Sequence, residues 1–173
     1  VIHALGGNDS IEDFGGSNVI DAGTGNDRIV VAGDNRIEPG EGDDFIHIVA
    51  GASVIHFGPG SGQDLTMLDV DSGSVVLELS SEITLADILV TLESMEWGKS
   101  PVLTLPASGD SIILAGVRYQ EGSELVFGDN EGTGLAVQFA EGLRLSGVEL
   151  LDLEGGTGGQ LIVGTEGKDV LVG

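Results

Sequence analysis

The chain has no cysteine, so no disulfide staples it, and a cross-link beyond ordinary packing would have to come from something else, such as a structural metal. Basic residues are scarce: six Lys and Arg stand against 29 Asp and Glu, a formal charge of -23. A surface of that sign repels nucleic acid and anionic membrane surfaces, which leaves cations as the obvious partners. One Trp, one Tyr and five Phe in 173 residues argue against a conventional packed core. No apolar run approaches the roughly 18 residues of a membrane span, and no signal peptide opens the chain. Also missing are a Cys nucleophile, a G-x-S-x-G elbow, an H-E-x-x-H helix and a Walker loop, so no enzyme activity is expected.

What the chain has instead is glycine, thirty of them, arranged with a period of nine. Ala22–Val30 (AGTGNDRIV) and Pro39–His47 (PGEGDDFIH) both fit G-G-x-G-x-D-x-U-x, with U a large apolar residue. Ala4–Glu12 places Asp9 in the acidic slot and Ile11 in the apolar one; Asp13–Asp21 places Asn18 and Ile20 there. Val31–Glu38 is one residue short, with Asn35 and Ile37, and Ile48–His56 has Ser53 and Ile55. PGSGQDLT, from Pro59, offers Asp64, with Thr66 where an Ile is expected. Each x-U-x tail reads as a very short strand with one side chain pointing inward, so that stacked turns pile the Ile residues into a narrow apolar ladder.

The acidic slot alternates: Asp9, Asn18, Asp27, Asn35, Asp44, Ser53, Asp64. With two repeats per turn of a flattened coil, Asp9, Asp27, Asp44 and Asp64 form one column, and Asn18, Asn35 and Ser53 the opposite one. Glycines let each bend pass through positive φ and aim its peptide carbonyls at one point. The carbonyl candidates are Gly7, Gly23, Thr24, Gly25, Asn26, Gly40, Glu41, Gly42, Asp43, Gly60 and Gly62. Carbonyls plus one carboxylate from each of two stacked bends offer the six or so hard oxygens that Ca²⁺ takes, where Zn²⁺ would want His or Cys. Four stacked bends enclose three interstices, so about three ions are expected on the Asp edge. Neutral Asn or Ser cannot help offset the dehydration of Ca²⁺, and the opposite edge is expected to be metal-free and hydrogen-bonded. Asp13 and Asp34 are the two carboxylates placed to rescue a weaker site there.

These residues resemble the RTX (repeats-in-toxin) calcium-binding β-roll of proteins exported by bacterial type I secretion systems. The similarity covers residues 1 to about 66 and returns at Gly155–Gly173, where Gln160 and Asp169 repeat the alternation. Between them, residues 67–153 look like the haemolysin-type calcium-binding related domain that often follows such repeats. The resemblance implies an all-β fold: a right-handed parallel β-roll over 1–66, a β-rich capping segment over 67–153, and a further roll beginning at 154–173. It also implies calcium-triggered folding outside the cell, within a secreted or cell-surface toxin, adhesin or hydrolase. Its partners would be calcium, the rest of the parent polypeptide and the type I secretion machinery. The chain opens on Val1-Ile2-His3, a tail without its loop, and reads as a piece of a longer protein. Within the middle segment, alternating Val75, Leu77, Leu79 and Ile112, Leu114 suit half-buried strands, Ser108-Gly109-Asp110 suits a hairpin turn, and a short helical turn near Thr84–Ile88 leads into a strand. That segment would cover an open end of the roll, where exposed strand edges invite aggregation.

Rival chemistries are weaker. His3, His47 and His56 all fall at the last position of a repeat, where solvated surface is a better reading than a zinc site needing three or four convergent donors. Asp43-Asp44 has the make-up of a glycosidase pair, but in a repeat bend calcium or solvent is the better reading. Trp97 is the only Trp; on it rests the alternative of an adhesive, receptor- or glycan-binding module. An ice-binding face needs a flat Thr/Asn array, which Gly6–Asp9, Thr24–Asp27 and Glu41–Asp44 do not form.

Overall fold

The computed structural model describes residues 1–69, 72–95, 98–119, 125–127, 135–140 and 142–146. It opens with β1 (Ile2–His3), β2 (Ser10–Asp13), β3 (Val19–Asp21), β4 (Arg28–Ala32) and β5 (Asn35–Glu38), short strands separated by glycine-rich bends. None of these pairs with its sequence neighbour. β1 runs parallel to β3 and β3 to β5, while β2 runs parallel to β4. Two repeats therefore make one turn, and odd and even strands build two separate walls, as expected for a β-roll.

β6 (Phe45–Phe57) joins the walls. Its first half pairs with β4 and with β7 (Gln63–Leu68), and its second half with β5 and β8 (Ser72–Leu79). The bend expected before Ser53 is thus absent: one continuous strand of 13 residues turns the corner at Gly51, φ +85°. Ile48–His56 carries one glycine where the Asp-edge repeats carry two; Val31–Glu38 also carries one, but there Gly33-Asp34 parts β4 from β5, whereas Gly51-Ala52 continues the strand. At Gly51 the single positive-φ residue makes a corner, with a register shift between Gly51 and Ser53.

The walls continue past Thr66. β11 (Asp110–Ala115) adds in parallel to β7, and β14 (Leu135–Gln138) in parallel to β8. Antiparallel β10 (Gly98–Leu105) and β9 (Leu89–Met95) then extend the first wall, and β15 (Arg144–Ser146) the second. β12 (Val117–Tyr119) and β13 (Leu125–Phe127) form a separate antiparallel pair. The helical turn expected near Thr84–Ile88 is a single 3-10 turn, Leu85–Asp87, leading into β9. The Asp87 carboxylate accepts from Thr84 Oγ1 at 2.6 Å and from Thr84 N–H at 2.9 Å. Those two bonds, the side-chain one foremost, hold its carboxyl below the ordinary range. Ser108-Gly109-Asp110 does turn the chain from β10 to β11, with Gly109 at φ +86°.

The core is narrow and layered. Register stacks Ile11, Ile29, Ile46, Thr66 and Leu114 along one wall, and Ile2, Ile20, Ile37, Ile55, Leu77 and Val137 along the other. All six Ile from the apolar slots of the repeats are buried. A second layer two residues on, Val31, Ile48 and Phe57 among them, widens the core. Each buried Ile or Leu removes apolar surface worth roughly 1.5–3 kcal/mol, so a stack of aliphatic rungs can hold the roll without aromatic filling. Among the described residues no helix is long and apolar enough to cross a membrane.

Candidate metal centre

In D-x-I the acidic and apolar slots are two residues apart, so strand alternation sends both side chains to the same inward face. The register accordingly brings Asp9, Asp27, Asp44 and Asp64 onto one edge of the coil, each one turn above the last. Their carboxylates are tied in the same way. Oδ1 of the upper three accepts the backbone N–H of the Asp one turn below: Asp27 from Asp9 at 2.7 Å, Asp44 from Asp27 at 2.7 Å, Asp64 from Asp44 at 3.0 Å. Asp27, Asp44 and Asp64 are each only 2% exposed. The second oxygen, Oδ2, of all four Asp residues is buried with no hydrogen-bond partner. A buried, unpartnered carboxylate oxygen is costly unless something cationic meets it.

That cost appears in the proton equilibria. Burial pushes the Asp44 carboxyl up to about 6, with the charges of Asp27 and Asp43 adding to it and the Asp27 N–H opposing it. At the end of the column burial pushes Asp64 up to about 8, opposed by the Asp44 N–H and reinforced by the charges of Asp44, Asp43 and Asp110. The column is electrostatically unfavourable by itself, and is the kind of place a hard cation relieves.

The bends supply the remaining oxygens. Gly25, Gly42 and Gly62 stand at φ +121°, +136° and +87°, and a Cβ on any of them would overlap the carbonyl oxygen of Gly7, Gly25 or Gly42 in the turn below. Glycine is required there because carbonyl meets backbone from turn to turn. Gly23, Gly40 and Gly60, at φ +100°, +101° and +92°, begin the same bends. Some of the expected carbonyls are already used once: Thr24 O accepts from Gly7 N–H at 2.8 Å, Glu41 O from Gly25 N–H at 2.7 Å, and Gly23 O from Glu41 N–H at 2.9 Å. The carbonyl oxygens of Gly7, Gly25 and Gly42 receive no hydrogen bond among the described residues, whereas that of Gly62 accepts from Ser111 N–H at 2.8 Å. Among the described residues no three His, Cys, Asp or Glu side chains gather into a metal-holding group. A cation on this edge would have to draw most of its oxygens from the backbone, a donor set that suits Ca²⁺ and not Zn²⁺.

The opposite edge is hydrogen-bonded, as expected. Asn35 Oδ1 accepts the Asn18 N–H at 3.0 Å, repeating the Asp ladder. Its Nδ2, standing where Asp has the orphaned Oδ2, donates to the carbonyls of Ala32 at 3.2 Å and Gly33 at 3.3 Å. Here an amide group satisfies loop carbonyls that elsewhere face a carboxylate. Asn18 Nδ2 donates to Asp13 Oδ2 at 2.6 Å, and Ser53 Oγ to Gly33 O at 3.4 Å. Asp34 Oδ1 takes the Ala52 N–H at 2.9 Å.

Two features went unread in the sequence. The residue before each acidic slot braces the stack in the opposite sense: Asn8 Oδ1 accepts the Asn26 N–H at 3.0 Å, Asn26 Oδ1 the Asp43 N–H at 3.1 Å, and Asp43 Oδ1 the Gln63 N–H at 2.9 Å. Asn26 and Asp43 thus act through their side chains, and the recurrence of Asn or Asp one place before the acidic slot was the visible signal. The second is Asp110, whose two carboxylate oxygens accept the N–H groups of Gly60 and Gly62 at 2.9 and 2.8 Å. Burial pushes its carboxyl up, but the bonds from the Ser108 side chain and from Gly60 and Gly62 outweigh that and hold it below the ordinary range.

The histidines lie outside this edge. His3 pairs with Asp21 at 3.1 Å and His47 with Asp69 at 3.0 Å, while His56 sits 3.5 Å from Ser80 Oγ. Trp97 and the repeats at 154–173, with Gln160 and Asp169, fall outside the described residues.

Comparison with known proteins agrees with this geometry. The RTX calcium-binding nonapeptide repeat matches in four copies, over residues 1–29, 32–47 and 154–173. No curated protein matches the chain. The first two matched segments hold Asp9, Asp27 and Asp44. Over residues 1–47 the matched repeats coincide with the parallel coil of two repeats per turn and its aspartate column, and the chain carries RTX calcium-binding repeats, a calcium-binding module.

Proposed function

We propose that the chain is a calcium-gated folding module of a large protein exported by bacterial type I secretion, pliable before export and rigid outside the cell. About three ions would lie along the Asp edge, in the spaces between successive bends from Asp9 to Asp64. The observation that carries the reading is the column of buried Oδ2 atoms without partners beside the open carbonyls of Gly7, Gly25 and Gly42. When bound, calcium supplies the positive charge that lets the buried Asp44 and Asp64 carboxylates stay ionised. Asp27 and Asp44 would each face an ion above and below, Asp9 and Asp64 on one side each. The role is structural, not catalytic. The partners are calcium, the parent polypeptide and the secretion machinery.

At sub-micromolar Ca²⁺ the carboxylates repel and the glycine-rich bends carry high chain entropy, so the roll does not form. At millimolar Ca²⁺ each site with a Kd near ~10⁻⁴ M adds about 1.4 kcal/mol by mass action. Three such sites add on the order of 4 kcal/mol, comparable to the whole stability of a small domain. Far-UV circular dichroism in chelator and then in calcium tests this: the β-signal should appear with calcium, and a signal already complete in chelator would defeat the proposal. Asp27→Asn should cripple calcium binding while leaving its backbone ladder bond in place.

A further inference from the structure

We infer that Asp110 acts as a built-in stand-in for a further bend, closing the stack and positioning Gly60–Asp64 for the last cation place, between Asp44 and Asp64. This rests on the calcium reading above.

The stack has a direction. Gly7 N–H donates up to Thr24 O and Gly25 N–H up to Glu41 O, at 2.8 and 2.7 Å. In the two lower bends a glycine N–H is thus met by a carbonyl oxygen of the bend above. The Pro59–Asp64 bend has no repeat above it; the next strand on this wall, β11, comes from some fifty residues further along. Gly60 and Gly62 sit at φ +92° and +87°, a backbone shape that turns alternate N–H groups toward one point, where an anion is favoured. Asp110 fills that point. It is 6% exposed and takes both N–H groups, one on each oxygen. The neighbouring Ser111 N–H donates to Gly62 O at 2.8 Å, tying up the carbonyl equivalent to those left open on Gly7, Gly25 and Gly42.

The side chains finish the closure. In the parallel register Asp64 stands opposite Ile112, so the acidic column meets an aliphatic side chain and not another carboxylate. Among the described residues the position above Asp64 holds Ile112 and the Gly62 carbonyl is already bonded, so the column of acidic slots ends at Asp64. Asp110 touches no proposed ion. Through two amides it fixes a bend whose Asp64 must lie over Asp44, as their 3.0 Å bond requires.

The test compares the full chain with Asp110→Asn and Ile112→Ala, by native mass spectrometry for calcium count, calorimetry for affinity, and hydrogen exchange. Asn at 110 keeps one acceptor oxygen where Asp has two, and its NH₂ would face one of the two N–H groups. In Asp110→Asn one ion should weaken by about tenfold or more, the scale of one charge-assisted hydrogen bond, with the others within about twofold. Gly60 and Gly62 amides should exchange faster even in saturating calcium, with protection of β2 and β4 unchanged. Ile112→Ala loosens the cap without touching the two amides, and should leave the ratio of the last affinity to the others intact. Unchanged affinities with unchanged Gly60 and Gly62 protection would overturn the positioning role, as would uniform weakening of every ion equal to that in Ile112→Ala. If wild type binds no calcium, the calcium reading itself fails.

Discussion

Replacing Asp44 with Asn should stabilise the roll without calcium and blunt its response to calcium, a reversal that few simple destabilising mechanisms mimic. The amide oxygen can keep the 2.7 Å bond from Asp27 N–H, while an NH₂ replaces the orphaned Oδ2. Asn35 is the internal precedent, with its Nδ2 donating to the carbonyls of Ala32 and Gly33. In chelator the wild-type carboxylate is a burden. Its folded pKa, about 6 against an ordinary 3.8, means that the cost is absent below the unfolded value, accrues as pH rises through 6, and is complete at neutral pH. At about 1.4 kcal/mol per pH unit that cost is on the order of 2–3 kcal/mol, which Asn removes. In millimolar calcium Asp44 borders two of three interstices, so its loss forfeits about 3 of the roughly 4 kcal/mol that calcium supplies. Urea unfolding followed by circular dichroism, with an osmolyte added equally to all samples so that the calcium-free state is measurable, should show a higher midpoint for Asp44→Asn in chelator. The increment on adding calcium should be about a third of the wild-type one. A variant less stable than wild type in chelator, or one with the full increment, would refute the reasoning.

Other outcomes follow from the same geometry. Gly42→Ala drives a methyl group into the Gly25 carbonyl at a positive φ, and should cost about 2–4 kcal/mol and weaken calcium binding, as thermal melts and calorimetry would reveal. Asp44 and Asp64 both have folded pKa values above the ordinary one, about 6 and about 8, so the calcium-free roll gains stability as pH falls; its β-signal in chelator should be larger near pH 5 than near pH 8. Thr66→Val removes a buried hydroxyl with no partner and should raise stability by about 1 kcal/mol, measured as a higher urea midpoint. Asn18→Ala loses the bonds to Asp13 and Gly15 but should leave the calcium count by native mass spectrometry unchanged.

The parallel coil was legible in the sequence because Ile11, Ile20, Ile29, Ile37, Ile46 and Ile55 recur in one slot with glycine between them, and only a two-repeat turn puts each above its counterpart. The division of the edges was legible in the alternation of Asp with Asn or Ser. What escaped has a common cause. Asp110 meets Gly60 and Gly62 from about fifty residues away, through a carboxylate that in sequence belongs to a hairpin turn. Local periodicity carries no information about such a contact. The continuous strand through Gly51 escaped because Ile48–His56 keeps the count of nine, which marks a repeat but not whether the strand breaks inside it. Asn26 and Asp43 read from the sequence as carbonyl donors, whereas the bracing by the side chains of Asn8, Asn26 and Asp43 depends on the vertical stacking that only the fold supplies.

The continuous strand gives the two edges unlike mechanical characters. β6 crosses between walls as an unbroken strand on the amide-lined side, like the spine of a book, while on the aspartate side the crossings are glycine-rich bends whose buried carboxylate oxygens lack partners, a clasp that charge must fasten. Withdrawal of cations should therefore part the walls along the clasp first, with the spine the last to yield, so that opening and reclosing run along a fixed line and not through wholesale collapse.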